Sequence, residues 1–282
     1  MKIQKLGVLL NPHKPDGLPL LSRLADACAN AGILLYTVEP IPDFGSLPCA
    51  PSMAEMDALL IFGGDGTILH AVNRMGDDLR PVLGVNIGTL GFLAELSKDD
   101  LEDAIARLSK GSYRLERRML LTAAVEGENR SYTALNDVVV TRGSYARVLD
   151  VDVSIDGEQA IQFAGDGIIA ATPTGSTAYS LSAGGPIVAP GLSCLLLAPI
   201  CPHTLSSRPM VVSADASVAI VFSPRNRDGG MTLSIDGAQG RVLRRKTTLT
   251  IAQSEKRLPF VRFHQRDVFF ERLRKKLSEW GV

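Results

Sequence analysis

The sequence contains neither of the two common phosphate-binding loops. No Gly-x4-Gly-Lys-Ser/Thr occurs, and Gly64-Asp65-Gly66 is followed by Leu69 where the dinucleotide fingerprint would place its third glycine. Net charge is absent too: 30 Lys and Arg balance 30 Asp and Glu, so neither nucleic acid nor an acidic membrane is expected as a bulk partner. The four cysteines (Cys28, Cys49, Cys194, Cys201) form no Cys-x-x-Cys pair, which argues against a structural zinc site and for reduced thiols. No apolar run approaches the ~18 residues of a membrane helix, and the N-terminal run is too short for a signal peptide. A cytoplasmic, soluble protein is expected. At 282 residues it has room for two domains or one large one.

What is present is organised around Asp57-Ala-Leu-Leu-Ile-Phe-Gly-Gly-Asp-Gly-Thr-Ile-Leu-His70. Leu59 to Phe62 has the length and apolarity of a buried strand, and Thr67 to Met75 reads as a helix. A strand that breaks at Gly63-Gly64 and restarts as a helix leaves free N–H groups and a positive dipole end, a setting for phosphate. Glycine lets a phosphate approach the main chain because no Cβ intervenes. Asp65 is the exception. A carboxylate repels phosphate unless a cation or a reacting hydroxyl lies between; alone, it also reads as a helix N-cap.

Upstream, Lys5–Leu10 and Ile33–Val38 read as strands flanking a helix over Leu18–Ala31; downstream come a strand at Pro81–Asn86 and a helix over Lys98–Lys110. Alternating strands and helices imply a parallel sheet with ligand sites at the carboxyl ends of its strands. From about Tyr113 the texture changes to β-runs: Arg118–Val125, Ser131–Thr141, Arg147–Ile155, Asp215–Phe222, Met231–Ile235 and Thr247–Ile251, with a hairpin turn at Asp156-Gly157. Asp267–Glu279 is an amphipathic helix expected to return to the first domain. The fold class is therefore α/β: an N-terminal parallel-sheet domain, 1–112 with 253–282, and a β-rich, sandwich-like domain, 113–252.

A second chemical stretch, Gly165-Asp-Gly-Ile-Ile-Ala-Ala-Thr-Pro-Thr-Gly-Ser-Thr-Ala-Tyr-Ser-Leu-Ser-Ala-Gly-Gly-Pro186, lies in the β-rich region. Its short hydroxyls and unpaired N–H groups could bond ribose and amide groups, or simply cap a helix. Asn136-Asp137 interrupts its apolar run; an amide and a carboxylate there could read an adenine edge and a ribose diol, or form an Asx turn at a bulge.

With these residues the chain resembles the NAD kinase family, which transfers the terminal phosphoryl of ATP to the 2′-hydroxyl of NAD's adenosine ribose. The resemblance rests on Gly63-Gly-Asp-Gly-Thr67, Asn86-x-Gly-x-x-Gly-Phe-Leu93, Asn136-Asp137, Asp166-Gly167, Thr172-Pro-Thr-Gly-Ser-Thr-Ala-Tyr179, Pro202–Pro209 and Asp236-Gly237. The first motif is shared with lipid and sugar kinases; the Thr-Pro-Thr-Gly run is narrower. It implies that Asp65 orients and deprotonates the 2′-hydroxyl beside Gly66, and that Asn136 and Asp137 hold an adenosine unit. Asp166 would meet the nicotinamide end, with Thr177, Ala178, Tyr179 and Ser182 lining the dinucleotide groove and Arg147 serving a neighbouring subunit. Three departures stand out. Position 137 is Asp where many members have Glu. Ala164 falls where some carry Arg, which leaves NAD against NADH open. Ala238 precedes Gln239, so only Asp236 is carried over from that motif.

Phosphoryl transfer depends on in-line positioning and charge stabilisation. Asp65 is expected to align the hydroxyl and accept its proton late. The loop has no Lys or Arg, so Mg²⁺, or another divalent cation, is expected to arrive with ATP rather than in a protein cage. Polyphosphate could replace ATP, and the resemblance implies a homodimer or homotetramer. Two other readings compete: a non-catalytic NAD(P) sensor, and a Gly-Gly-Asp-Gly kinase of a lipid or sugar.

Overall fold

The apolar run at residues 58–62 becomes the middle of a parallel sheet, every residue of it buried. In the computed structural model, residues 1–10, 17–41, 47–88, 91–143, 148–204, 206–224, 230–238, 240–243, 246–264 and 268–280 are described. They form two compact units, Met1–Arg117 with Leu258–Val282, and Arg118–Arg257.

The first unit runs β1 (Lys5–Leu10), α1 (Gly17–Ala31), β2 (Leu34–Thr37), β3 (Ala58–Phe62), α2 (Asp65–Met75), β4 (Val82–Asn86), the short β5 (Leu96–Ser97) and α3 (Leu101–Lys110). Its strands pair in parallel in the order β2-β1-β3-β4, with β5 joined to β4. The helical stripes read from spacing are the buried ones: Leu20, Leu21, Leu24 and Cys28 of α1 share one core with Leu101, Ala104, Ile105 and Leu108 of α3 and with Leu60, Phe62, Leu83 and Val85 of the sheet. Gly111 ends α3 at φ 72, the left-handed position where a side chain would be strained. Gly84 lets α2 close on the sheet, since a Cβ there would stand 2.6 Å from Ile68.

The second unit carries β6 (Arg114–Val125, which starts in the first unit), β7 (Ser131–Ala134), β8 (Asp137–Arg142), β9 (Leu149–Ile155), β10 (Glu158–Gly165), β11 (Gly167–Ala171), the single turn α4 (Tyr179–Ser182), β12 (Cys194–Ile200), β13 (Met210–Ser213), β14 (Val218–Pro224), β15 (Met231–Ile235), β16 (Arg241–Leu243) and β17 (Thr247–Arg262). One antiparallel sheet has the order β10-β9-β14-β17; the other, β13-β12-β11-β8-β15-β16. They share a core in which Val151, Val153, Ile220, Phe222, Leu249 and Ile251 face Val138, Val140, Ile168, Leu195, Leu197 and Leu233. The second sheet also buries its other face, through Val139, Ile169, Ala171, Leu196 and Ala198. Two buried faces explain why β11 and β12 read as unbroken apolar runs rather than as alternation. Asp156 (φ 53) and Gly157 (φ 86) make the expected hairpin turn between β9 and β10.

Two expectations need correction. The run Ser131–Thr141 is not one strand: β7 pairs with β6, and β8 belongs to the other sheet. The break falls at Leu135-Asn136, whose N–H groups are taken by a side chain described below. The strand read at Thr247–Ile251 continues to Arg262, at the end of which Phe260 pairs with Val82 inside the first unit. Helix α5 (Phe269–Trp280) then completes that unit, as its amphipathic pattern implied; Phe269 is buried, its ring centroid 6.1 Å from that of Phe92.

Candidate active site

The strand-to-helix loop places Asp65 as the first residue of α2, with Gly64 as N-cap and no side-chain cap bond. The N-cap alternative for Asp65 is therefore removed. Its carboxylate turns instead to a second glycine-rich exit, the Asn86-x-Gly-x-x-Gly-Phe-Leu93 segment that follows β4: Phe92 N–H donates to Oδ2 at 2.9 Å and Leu93 N–H to Oδ1 at 3.0 Å. Gly91 makes this approach possible, because a Cβ there would lie 2.1 Å from Asp65 Oδ1. Gly63 is likewise demanded by packing, with Thr67 Oγ1 2.3 Å from the Cβ it lacks. Gly64 and Gly66 are different. Neither has positive φ, and a Cβ on either would meet nothing within 4 Å among the described residues. The fold does not require glycine at these two positions, which flank Asp65 on its open side.

The second exit builds itself. Asn86 closes an Asx turn, its Nδ2 donating to Gly88 O and its Oδ1 accepting from Gly88 N–H, both at 3.1 Å.

In the second unit the centre is Asp236, at φ 50 in the turn after β15. Its carboxylate accepts three main-chain N–H groups: Leu135 at 2.8 Å, Asn136 at 2.7 Å and Asp137 at 3.1 Å. This clamp splits the β7–β8 run, because N–H groups given to a carboxylate cannot join a ladder. Burial raises Asp236 above the usual carboxylate range, against the lowering effect of those three donors. Burial, and then Asp236 beside it, pushes Asp137 up to about 7.

Asn136 is held but not satisfied. Its main-chain O accepts from Thr172 N–H at 2.9 Å, yet its buried side-chain Oδ1 has no hydrogen-bond partner among the described residues. Buried polar atoms are almost always paired, so an orphaned amide oxygen points to a ligand. Gly175 permits the packing here, since a Cβ would fall 2.1 Å from Asn136 O.

The hydroxyl-rich run divides by direction. Thr172 Oγ1 donates to Leu135 O at 2.6 Å and accepts from Gly175 N–H, while Ser176 Oγ sits between Pro173 O and Val188. These two hydroxyls hold the loop together. Thr177 and Ala178 are half-buried, and Tyr179 and Ser182 exposed, so this part of the run remains available. Asp166 pairs with Arg142 at 2.6 Å, an ion pair the sequence reading missed, and Ala164 O accepts from His203 N–H at 2.8 Å. Arg147 and Gln239 lie outside the described residues. Among the described residues no group of three or more His, Cys, Asp or Glu could hold a metal ion, and no helix is long and apolar enough to cross a membrane.

A glycine-flanked carboxylate at a strand-to-helix turn in one unit fits a nucleotide-dependent phosphotransferase, and so does an orphaned amide near a small-residue loop in the other. Two sequence profiles match the chain: the ATP-NAD kinase N-terminal domain over residues 46–113 and the ATP-NAD kinase C-terminal domain over residues 135–263. The chain belongs to the NAD kinase family. Among curated relatives, the NAD kinase of Syntrophotalea carbinolica is 41% identical over 99% of both chains. That of Heliobacterium modesticaldum is 38% identical over 97% of this chain and 98% of its own. Among solved structures, yeast NADH kinase complexed with NADH aligns with a TM-score of 0.85 at 25% identity, covering 100% of this chain and 89% of that one. An NAD kinase from Archaeoglobus fulgidus in complex with ATP gives 0.77 at 26% identity, covering 98% and 99%.

Proposed function

We propose that the chain transfers the terminal phosphoryl of ATP to the 2′-hydroxyl of the adenosine ribose of NAD, with Asp65 as the group that receives the hydroxyl proton. The observation that carries the assignment of Asp65 is its geometry. Two main-chain N–H groups fix the carboxylate, each oxygen keeps acceptor capacity beyond the bond it makes, and the flanking Gly64 and Gly66 leave open space. Such a carboxylate accepts a hydroxyl, holds it in line with the phosphoryl, and takes the proton as the new O–P bond forms.

The first unit then serves the transfer, and residues 118–257 serve the dinucleotide. Asn136 Oδ1, now orphaned, accepts from an adenine amino group; Asp137 takes a ribose diol, as a donor when protonated and an acceptor when ionised. Thr177, Ala178, Tyr179 and Ser182 line the groove with small groups and one ring, and Asp166, oriented by Arg142, meets the nicotinamide end. Asp236 contributes by holding the 135–137 corner, and Ala164 leaves space that admits NAD or NADH. Arg147 completes the groove of a neighbouring copy in a homodimer or homotetramer. Mg²⁺ enters as part of the ATP substrate and neutralises charge between its phosphates. The four unpaired cysteines suit a reducing cytoplasm.

The test is a coupled assay: the purified chain with ATP, Mg²⁺ and NAD, read by an NADP-specific dehydrogenase. NADP formation that depends on all three is expected. NAD binding without NADP would make the chain a sensor, and absence of NAD binding would make it a kinase of another acceptor.

A further inference from the structure

The two N–H groups that hold Asp65 belong to a loop that is gripped from its carbonyl side as well. Arg272 of α5 donates from Nη1 to Phe92 O at 3.1 Å and from Nη2 to Glu95 O at 3.4 Å. Arg262, at the end of β17, donates from Nη1 to Leu93 O at 3.3 Å and from Nε to Glu116 Oε2 at 2.6 Å. Neither guanidinium is open to water: the Arg262 side chain is 5% exposed and that of Arg272 is 12% exposed. Glu95, with a fully buried side chain, lies 3.3 Å from Arg262 and 3.7 Å from Arg272, and its other oxygen accepts from Phe263 N–H at 3.1 Å. Burial opposes the ionisation of Glu95, but Arg262, that N–H, His264 and Arg272 outweigh it and keep the carboxyl below its ordinary range.

One detail connects this cluster to the chemistry. The Phe92 carbonyl and the Leu93 N–H are the two ends of a single peptide group. A cation bonded to the carbonyl polarises that peptide and strengthens its N–H as a donor. The path therefore runs from Arg272 Nη1 through one peptide to Asp65 Oδ1, with two hydrogen bonds and no intervening side chain. Burial and the nearby Arg262 disfavour the charge on Arg272, while Glu95, Asp65 and Glu116 support it, so the carboxylate and the guanidinium also act on each other through space. Docking α5 does not by itself call for this arrangement. Phe269 already packs against Phe92, and an apolar side chain at 272 would avoid the desolvation of a second cation.

We propose that Arg272 is a positioning residue for Asp65, fixing and polarising the Phe92–Leu93 peptide so that the carboxylate faces the acceptor hydroxyl in one orientation. The proposal rests on the reading of Asp65 given above. It predicts a loss expressed in turnover, because the Arg272 guanidinium bonds the carbonyls of the loop that holds Asp65.

The experiment uses the full chain with Arg272→Met, Arg272→Lys and Asp65→Asn, singly and combined, followed by steady-state kinetics with ATP, Mg²⁺ and NAD and by thermal melts. Arg272→Met should lose roughly tenfold to hundredfold in kcat, the scale of a misplaced catalytic group, with both KM values unchanged. Arg272→Lys, which keeps the charge and one donor, should recover part of that loss. In the Asp65→Asn background, replacing Arg272 should cost nothing further. An equal fold-loss with and without the Asp65 carboxylate would overturn the proposal, as would a raised KM at normal kcat. If Arg272→Met does not fold, the same comparison is made with Arg272→Lys, and independence of the two sites again overturns it. Full turnover by Asp65→Asn alone would instead remove the reading of Asp65 on which the proposal stands.

Discussion

Each unit contains an aspartate whose carboxylate is held by main-chain N–H groups, and the two are held differently. Asp65 accepts two donors, is half-buried, and is flanked by glycines at which an added Cβ would meet no described residue. Asp236 accepts three donors, is 8% exposed, and sits in a turn that its own positive φ helps to close. One carboxylate is fixed yet keeps an open face; the other is consumed by the backbone it organises. On the function proposed for Asp65, the same bond type serves chemistry in the first case and architecture in the second, and accessibility of the remaining lone pairs makes the difference.

The largest effect should come from breaking the first side of this comparison. Asp65→Asn removes the proposed proton acceptor, and turnover should fall by roughly 10² to 10⁴, the contribution of general-base catalysis. One amide oxygen still accepts a main-chain N–H and the site is half-open, so NAD binding and the melting temperature should change little. A kinetic assay beside a thermal melt checks both halves. Loss of folding with loss of activity would place Asp65 with Asp236 as a structural clamp.

The converse change comes next. Asp236→Ala leaves three main-chain N–H groups without their acceptor at a corner where Leu135, Asn136 and Asp137 are all buried. At about 1–3 kcal/mol for each buried group left unpaired, a loss of at least about 3 kcal/mol in stability is expected, read as a lower urea midpoint. NAD affinity should fall with it, because Asn136 and Asp137 lose their support. An unchanged midpoint would show that water replaces the carboxylate.

How far these roles could be read from sequence depends on what each residue answers to. The strand–glycine–helix order around Asp65 follows from hydrophobic periodicity and glycine placement, both local; the strand read from Leu59 starts at Ala58, and the helix read from Thr67 starts two residues earlier, at Asp65. The partners of Asp65 do not follow in this way, since Phe92 and Leu93 lie 27 and 28 positions away and offer main-chain atoms, which carry no residue signature. Gly91 was visible as part of a repeated glycine pattern; that it made room for a carboxylate was not. The break inside Ser131–Thr141 was hidden for the same reason: its cause, Asp236, is about a hundred residues downstream. The hydroxyl-rich run shows a third limit. Composition marked it, but whether Thr172 and Ser176 point inward or Tyr179 and Ser182 outward depends on the turn that Gly175 permits against Asn136.

The smallest effect tests the residue between the two aspartate roles. Asp137 is 4% exposed and donates its N–H to Asp236, yet its own carboxyl is pushed up to about 7 by burial and then by Asp236. An unfolded aspartate titrates near about 3.9, so between about pH 4 and pH 7 the folded chain binds the proton and the unfolded chain does not. The stability this proton contributes is complete below about pH 4 and is lost as pH rises through the folded value near 7. Asparagine at 137 is neutral throughout and escapes that loss. Ligand-free Asp137→Asn should therefore match the wild type near pH 4.5 and exceed it at pH 8, by at most a few kcal/mol. Thermal melts at the two pH values give the comparison. A difference that does not change with pH would mean that Asp137 is charged and solvated when folded, and Asp236 would then be the only one of the two carboxylates that the corner confines.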